Sequence, residues 1–193
     1  MHKQFIEMIQ SLAQFILSRC LGWKVEITIP AREKCIICVA PHTSNWDFLL
    51  GEVFSQAVGR KAGFLMKKEW FFWPLDTLFR SLGGIPVVRS RHQSLTDQLA
   101  DIAKREKYFN LAVTPEGTRS RVTTWKRGFY YIALKANIPI QLFAIDAKHK
   151  RIVCTEELMP TGDVEADMKR IMDYYRPYAD CAFHPQKFAL EEF

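Results

Sequence analysis

Apolar and polar positions recur along the chain with two periods, one typical of helices and one typical of strands. Residues 4–19 repeat with helical spacing, with a face rich in Gln, Glu and Ser opposite an apolar face. The apolar face consists of Phe5, Ile9, Leu12 and Ile16. This pattern predicts an amphipathic helix within residues 1–20. Such a helix lies in the plane of a membrane surface or packs on its own domain, and the periodicity leaves both alternatives open.

Shorter apolar runs alternate with further helical patterns along the rest of the chain. The predicted strands are residues 23–29, 35–40, 63–67, 85–88, 111–114, 138–145 and 151–155, and the predicted helices are residues 44–58, 94–107, 128–136 and 164–175. A chain of 193 residues is long enough for one sizeable core. We therefore predict a single α/β domain over residues 1–193, with a mixed, mostly parallel sheet that carries helices on both faces.

A first polar motif, Pro41-His42-Thr43-Ser44-Asn45-Trp46-Asp47, directly follows a predicted strand. A neutral imidazole such as that of His42 can take a proton from a hydroxyl near pH 7, and a carboxylate such as that of Asp47 can fix its orientation. However, Ser44-x-x-Asp47 is also a capping-box pattern, and the same pattern recurs at Ser94-x-x-Asp97. Asp47 is therefore expected either to orient a catalytic base or to cap a helix.

A second polar motif, Thr114-Pro115-Glu116-Gly117-Thr118-Arg119-Ser120, follows another predicted strand. Gly117 allows the backbone to approach a ligand closely, and Arg119 offers a planar fork for phosphate or carboxylate. Glu116 is suited to hold that arginine or a substrate hydroxyl. The same residues also suit a turn followed by a helix cap, but a turn does not require the arginine. Together the two motifs predict acyl transfer onto a hydroxyl or an amine.

In this order and spacing, the two motifs resemble those of the lysophospholipid and glycerol-phosphate acyltransferase superfamily, in particular the 1-acylglycerol-3-phosphate acyltransferases. The stretches Gly83–Arg89 and Ile138-Pro139-Ile140 resemble two further blocks, so the resemblance covers residues 35–145. The chain departs from the family at Pro41, where Asn is common. It also departs at Pro86 and Val88, where Phe and often a polar residue are usual. These changes affect the acceptor pocket rather than the catalytic groups.

The resemblance implies direct transfer without a covalent enzyme intermediate. His42, oriented by Asp47, would deprotonate an acceptor that attacks the acyl thioester of coenzyme A or acyl carrier protein. Arg89 and Arg119 would bind the acceptor's phosphate or another anion. The residues implied to shape that pocket are Glu116, Gly117 and Thr118. The implied enzyme is an O-acyltransferase of phospholipid biosynthesis that acts on a lysophospholipid or glycerol phosphate. It would use the thioester as a co-substrate, with no bound cofactor and no metal.

Charge and hydropathy extend this picture to partners and location. A net charge of +6 favours anionic partners such as an acidic membrane surface, coenzyme phosphates or an acidic carrier protein. Nucleic acid is the weakest candidate, because the chain has no Arg-rich run, zinc spacing or RNA-binding signature. With no apolar stretch of membrane-spanning length and no signal peptide, we expect a cytoplasmic protein, peripheral to the inner face of the membrane.

The densest aromatic cluster is Trp70-Phe71-Phe72-Trp73, beside Lys67 and Lys68. Aromatic and cationic side chains suit a lipid interface. The other interpretation is that the aromatics cover the sheet, and we expect this for about half of them.

Five scattered cysteines favour a reducing compartment. Cys35 and Cys38 have the spacing of a redox pair, but positions i and i+3 of a strand face opposite sides, which predicts buried structural thiols. His92, His149 and His184 show no partner pattern.

Two alternative functions remain beside the leading one. The first is an acyltransferase for an amine-bearing or other lysolipid acceptor. The second is a non-catalytic lipid-binding module of the same fold, against which the combination of His42, Asp47 and residues 116–119 argues, since a binding protein needs no base.

Overall fold

A computed structural model describes residues 2–60, 62–81, 83–87 and 94–192. The strands are β1 (Lys24–Ile27), β2 (Lys34–Ala40), β3 (Phe64–Lys67), β4 (Gly84–Val87), β5 (Phe109–Val113), β6 (Ile140–Asp146) and β7 (Arg151–Leu158). The α-helices are α1 (His2–Phe15), α2 (Asn45–Ala57), α3 (Leu75–Ser81), α4 (Leu95–Arg105), α5 (Gly128–Ala136) and α6 (Val164–Tyr175). A π-helical turn, Ile16–Cys20, extends α1, and short 3₁₀ turns span Lys68–Trp70, Arg176–Cys181 and Pro185–Lys187.

The main sheet has five strands in the order β1-β7-β6-β2-β5. Strand β2 pairs in parallel with β5 on one side and with β6 on the other. Strand β7 runs antiparallel to β6, and β1 runs parallel to β7. The carboxyl ends of β2, β5 and β6 therefore meet at one edge of the sheet, which we call the carboxyl edge. Ligands of open α/β sheets bind at this kind of edge.

Helices cover both faces of this sheet, as the sequence predicts. Residues of α1 and α2 share a buried core with Ile37 and Phe143, on what we call the α2 face. Residues of α4, α5 and α6 share the opposite core with Ile36 and Leu142, on what we call the α5 face. Because successive residues of a strand point to opposite sides, β2 and β6 contribute to both cores.

The cysteines of β2 follow the same alternation. Cys35 is buried in the core of the α2 face and Cys38 in that of the α5 face, and neither forms a disulfide. Burial raises the pKa of Cys35 to about 11. The prediction of buried structural thiols rather than a redox pair is confirmed.

The N-terminal helix packs on the domain, although not through the face that the periodicity predicts. Leu17 is buried in the core of the α2 face, and Gln14 Nε2 donates to the carbonyl oxygen of Ala57 at 2.9 Å. Leu12 and Phe15 are each 57% exposed. The helix is thus attached through part of its polar side and presents apolar side chains to solvent. No helix in the described ranges is long and apolar enough to cross a membrane.

Strands β3 and β4 form a separate two-stranded parallel sheet beside β5. Gly63 joins the two sheets, since its N–H donates to the Asn110 carbonyl at 2.6 Å and its own carbonyl accepts from the Ala112 N–H at 2.8 Å. A Cβ atom at position 63 would lie 2.8 Å from Ile85 Cδ1. The close approach of these backbones therefore requires glycine.

The aromatic cluster is more exposed than the sequence predicts. Trp70, Phe72 and Trp73 are 53%, 55% and 87% exposed, whereas Phe71 packs edge-on against Phe79 with ring centroids 6.0 Å apart. The expectation that about half of these aromatics cover the sheet is wrong, because only Phe71 packs inward.

Candidate active site

His42 lies in the loop that follows β2 at the carboxyl edge. Its side chain is 12% exposed, and its Nδ1 atom lies 3.3 Å from Asp47 Oδ2. This is ion-pair distance without hydrogen-bond alignment, and Nδ1 has no hydrogen-bond partner among the described residues. Catalytic contacts are often long without substrate and tighten in the complex. Asp47 therefore lies where it can orient the ring, which leaves Nε2 as the nitrogen that can take a proton.

Asp47 also caps α2, so the two interpretations of its motif hold together. Its Oδ2 atom accepts from the N–H groups of Thr43 at 2.6 Å and Ser44 at 2.7 Å. Ser44 in turn completes a capping box at the start of the helix. The same oxygen, Oδ2, faces His42. The fixed start of α2 thus holds the carboxylate in position beside the imidazole.

Glu116 binds the backbone of the first motif instead of holding Arg119. Its Oε1 atom accepts from the His42 N–H at 2.8 Å, and its Oε2 atom is buried without a hydrogen-bond partner among the described residues. Burial raises the pKa of Glu116 to about 7, against the opposing effect of the hydrogen bond from His42. The Glu116 carboxyl group therefore links the second motif to the backbone of His42, the candidate base. Sequence reasoning missed this contact, because a side chain that bonds to a distant backbone group leaves no local pattern.

The remaining residues of the second motif divide into two groups. Gly117 adopts a left-handed conformation (φ +65°) and lines the cavity described below together with Arg119. Thr118 Oγ1 accepts from the Ser120 N–H at 3.3 Å, which stabilises the turn. Thr118 and Glu116 do not line the cavity within the described ranges. Arg89, expected to bind the acceptor with Arg119, lies outside the described residues, as do Val88 and His92.

A cavity of about 890 Å³ opens beside His42 and Asp47. Its walls come from both faces of the sheet and meet at the carboxyl edge. On the α2 face, the lining residues include Ile37, Val39, Phe48, Gly51, Phe54, Arg60 and Phe143. On the α5 face, they include Leu65, Leu99, Phe129 and Ile132. Most of these side chains are apolar, whereas the residues around His42 are polar or charged. The cavity can therefore take a ligand with an apolar body and a polar reacting end.

Two cationic residues that line the cavity lie outside the motifs recognised in the sequence. Lys126 lies beside the second motif, where its N–H donates to the Pro115 carbonyl at 2.7 Å and its side chain packs near Gly117. Arg60 lines the cavity on the α2 face, away from the carboxyl edge. The only signal for Lys126 is its place just before α5, whose first residue, Gly128, also lines the cavity.

A second cluster of ionisable groups lies outside the cavity. His149 Nδ1 is 2.9 Å from both carboxylate oxygens of Asp146, so His149 has a partner that the sequence did not reveal. Atoms of Asp146, His149 and Cys181 lie within 4.8 Å of one another. Arg151 also donates to Asp146 Oδ2 at 2.7 Å. These contacts make an ion-paired cluster, and the expectation of a chain without metal stays a prediction.

Comparisons with known proteins agree with this geometry. A family model described as Acyltransferase matches residues 24–146, more than half of the chain and both motifs. No curated protein matches. The crystal structure of the 1-acyl-sn-glycerophosphate (LPA) acyltransferase, PlsC, from Thermotoga maritima has the same fold, with a TM-score of 0.60 and 18% sequence identity. The match covers 92% of this chain and 80% of that one. The chain therefore belongs to the acyltransferase family.

Proposed function

We propose that this protein moves a fatty acyl group from a thioester carrier, acyl-CoA or acyl carrier protein, to the hydroxyl of a lysophospholipid or glycerol-phosphate acceptor. One observation carries the proposal: the His42–Asp47 pair lies at the polar end of a large, mostly apolar cavity. A base in this position meets the reacting end of an amphipathic ligand. A lipid-binding module of the same fold would need the cavity but not the pair.

The reaction follows from the positions of these groups. His42 Nε2 takes the proton of the acceptor hydroxyl, and the hydroxyl oxygen attacks the thioester carbonyl. The carbon–sulfur bond then breaks, and the imidazolium returns the proton to the departing thiolate. Asp47 stabilises the imidazolium that forms in between. Cys35, Cys38 and Cys154 are buried thiols whose pKa values burial raises, which favours direct transfer over an acyl-cysteine intermediate.

The cations beside the base support a phosphate-bearing acceptor. Arg119 and Lys126 line the same cavity as His42, and the Lys126 side chain packs near Gly117. Guanidinium and ammonium groups bind phosphate oxygens, and the guanidinium does so with two parallel hydrogen bonds. The solved structure with the same fold is that of an enzyme named for 1-acyl-sn-glycerophosphate, which also bears a phosphate.

The apolar surface supports action at a membrane. Exposed apolar residues occur on α1, on the first turns of α2 and in the aromatic cluster. They include Met8, Leu12, Phe15, Trp46, Phe48, Leu49, Trp70, Phe72 and Trp73. With a net charge of +6, such a surface suits peripheral attachment to anionic lipid.

The deciding experiment measures thiol release from acyl-CoA and acyl carrier protein with a panel of acceptors. The panel contains glycerol 3-phosphate, lysophosphatidate, neutral lysolipids and amine-bearing lysolipids. We expect turnover with a phosphate-bearing acceptor and a loss of about two to four orders of magnitude in His42→Ala. His149→Ala is the matched control, because this histidine lies outside the cavity. Turnover only with an amine-bearing acceptor would select the first alternative function. Tight lipid binding without turnover, or a folded His42→Ala protein with full activity, would contradict the proposal.

A further inference from the structure

The part of the cavity on the α2 face forms a channel with two different ends. Its walls are α2 on one side and the sheet on the other, and they include Phe48, Gly51, Ser55, Ile37, Val39 and Phe143. One end is the carboxyl edge with His42 and Asp47. At the other end lies Arg60, which follows the last turn of α2. We call this space the α2 channel.

The Arg60 guanidinium lies over the amino ends of three parallel strands. Its Nη2 atom is 3.2 Å from Asn110 Oδ1 and 3.2 Å from Cys35 Sγ, and it also donates to Gln141 Oε1. Cys35 and Asn110 are cross-strand partners of β2 and β5. The guanidinium also packs against the Phe143 ring, with its central carbon 5.5 Å from the ring centroid. These contacts hold the cation at a fixed place in the fold.

The hydrogen-bonding capacity of this guanidinium is not used up. The three bonds described for it all involve Nη2, and the buried Nε has no partner among the described residues. Gln141 links Arg60 to Glu157, whose carboxylate is already paired with Arg32. Among the described residues, the network thus joins two cationic side chains to one anionic side chain, so that it carries a net positive charge at this end of the α2 channel.

The length of the α2 channel suits a medium-length acyl chain. The strand from Cys35 to Ala40 advances about 16 Å, at about 3.3 Å per residue. A zigzag of carbon–carbon bonds of about 1.5 Å covers this distance in about a dozen carbons. A chain whose thioester lies at His42 would therefore bring its far end close to Arg60.

The geometry points to an acyl chain that carries a hydrogen-bond-accepting oxygen, in a hydroxyl or a carboxylate, at or near its far end. This inference rests on the proposed function, since it concerns the donor's acyl chain. A methyl end against Arg60 would keep water from a guanidinium whose buried Nε–H lacks a partner among the described residues, which is unfavourable. An oxygen would accept from the guanidinium and face the net positive charge.

Among the described residues, the acidic side chains that line the cavity are Asp47, at the carboxyl edge, and Glu52, on α2. Glu52 is half-buried, and burial raises its pKa, so its neutral form is favoured relative to an exposed glutamate.

The first experiment compares acyl-CoA donors of equal length, from ten to fourteen carbons, that end in a methyl, a hydroxyl or a carboxylate. We expect the wild-type protein to prefer an oxygen-ended chain by about ten- to a hundredfold in kcat/KM, as one hydrogen bond to a charged group provides. Arg60→Met should remove this preference and improve use of the methyl-ended chain. Arg105→Met is the matched control, because it removes a charge at an exposed position that neither lines the cavity nor belongs to this network. The hydroxyl and carboxylate donors show which oxygen is recognised.

A second variant tests the route of the chain. Gly51 lines the α2 channel, and a Cβ added there meets no atom within 4 Å. Gly51→Phe should therefore fill the α2 channel and reduce the use of twelve-carbon donors at least tenfold, while four-carbon donors are still used.

The possible results separate the two proposals. Equal use of methyl-ended and oxygen-ended chains by the wild-type protein would overturn the inference while the transferase stands, and so would full use of long donors by Gly51→Phe. This wild-type comparison decides the matter even if Arg60→Met does not fold. If no thioester is turned over, calorimetric binding of 12-hydroxydodecanoic acid against dodecanoic acid still tests Arg60. Tighter binding of the hydroxy acid that is lost in Arg60→Met would then support the Arg60 site without the proposed function, and equal binding would overturn it.

Discussion

At the scale of single residues, one carboxylate oxygen serves two purposes. Asp47 Oδ2 accepts two backbone N–H groups at the start of α2 and also faces His42 Nδ1. Asparagine caps a helix nearly as well as aspartate, but it carries no charge to stabilise an imidazolium. We therefore expect Asp47→Asn to reduce turnover by two or more orders of magnitude while the melting temperature changes little. Thiol-release kinetics and thermal unfolding measure the two effects.

The chain supplies a matched control for this variant. Asp97 occupies the same position in a second capping pattern, where Ser94 Oγ accepts from its N–H at 3.1 Å; its carboxylate is paired with Lys135, and it does not line the cavity. Asp97→Asn should leave turnover unchanged. If Asp47→Asn lowered stability but kept full activity, capping would be the only role of Asp47.

Glu116 makes stability depend on pH. Burial raises its pKa to about 7 in the folded protein, whereas a free glutamate titrates near 4.3. The folded protein therefore binds this proton more tightly than the unfolded chain does. The stabilisation from the protonated carboxyl group is lost as pH rises from about 4.5 to 7. Glutamine stays neutral throughout. We expect Glu116→Gln to gain up to about 3 kcal/mol relative to wild type across this range, at 1.36 kcal/mol for each pH unit.

Chemical denaturation of both proteins at pH 4.5, 6 and 7.5 measures this difference. Glu106→Gln, a change at an exposed position, is the control. A difference between Glu116→Gln and wild type that stays constant with pH would show that Glu116 ionises normally in the folded state.

A substitution of Arg119 tests whether the proposed acceptor carries a phosphate. Lysine keeps the charge but cannot make two parallel hydrogen bonds to one phosphate. Arg119→Lys should therefore raise the acceptor KM about tenfold, the equivalent of one charge-assisted hydrogen bond, and change the donor KM little. Arg121→Lys, an exposed residue that does not line the cavity, is the control. An unchanged acceptor KM would assign Arg119 a structural role.

The candidate site divides into residues that the sequence could predict and residues that it could not. His42, Asp47, Gly117 and Arg119 belong to local motifs after strands, and parallel pairing of β2 with β5 brings those motifs together. Arg60 reaches the α2 channel only because the turn after α2 places it over three strands. No spacing along the chain encodes that approach, so a lone arginine gives no signal.

At the scale of secondary-structure elements, the N-terminal helix packs on the domain and faces solvent through different residues. Leu12 and Phe15 are exposed, whereas Leu17 is only 3% exposed. The double change Leu12→Gln and Phe15→Gln should weaken binding to anionic vesicles about tenfold or more and leave the melting temperature unchanged, because it removes only exposed apolar surface. Leu17→Ala should instead destabilise the fold by about 2–5 kcal/mol. Vesicle co-sedimentation and thermal unfolding measure these effects.

Unchanged vesicle binding in the double variant would mean that α1 does not meet lipid. Deletion of residues 1–20 is a poorer test, since it also removes Leu17 from the core of the α2 face.

Long periodic elements were predictable and short ones were not. The predicted helix at residues 128–136 coincides with α5, and the one at 164–175 coincides with α6. In contrast, α3 has only seven residues and too few turns to show a helical period, so the sequence did not reveal it. The separate pairing of β3 with β4 depends on contacts between distant residues, which local patterns do not contain.

At the scale of the whole molecule, charge and apolar surface predict two kinds of membrane attraction. The net charge of +6 attracts acidic headgroups within a Debye length of about 8 Å at physiological ionic strength. We expect reversible binding to anionic vesicles that weakens as salt rises, with a remainder from apolar contacts that salt does not screen. Co-sedimentation at several salt concentrations measures this, with vesicles of neutral phosphatidylcholine as the control. Absence of binding to anionic vesicles at low salt would favour a soluble acceptor.

The contact between Glu116 and the His42 backbone also bears on how the protein is made. It joins residues 74 positions apart, and β2 gains its second neighbour only when β6, ending at Asp146, is present. When only the first hundred residues have emerged from the ribosome, His42 is present but Glu116 and β6 are not. During synthesis the growing chain carries an unpositioned imidazole, and the enzyme becomes competent only late in translation. Early termination products should accordingly lack transferase activity.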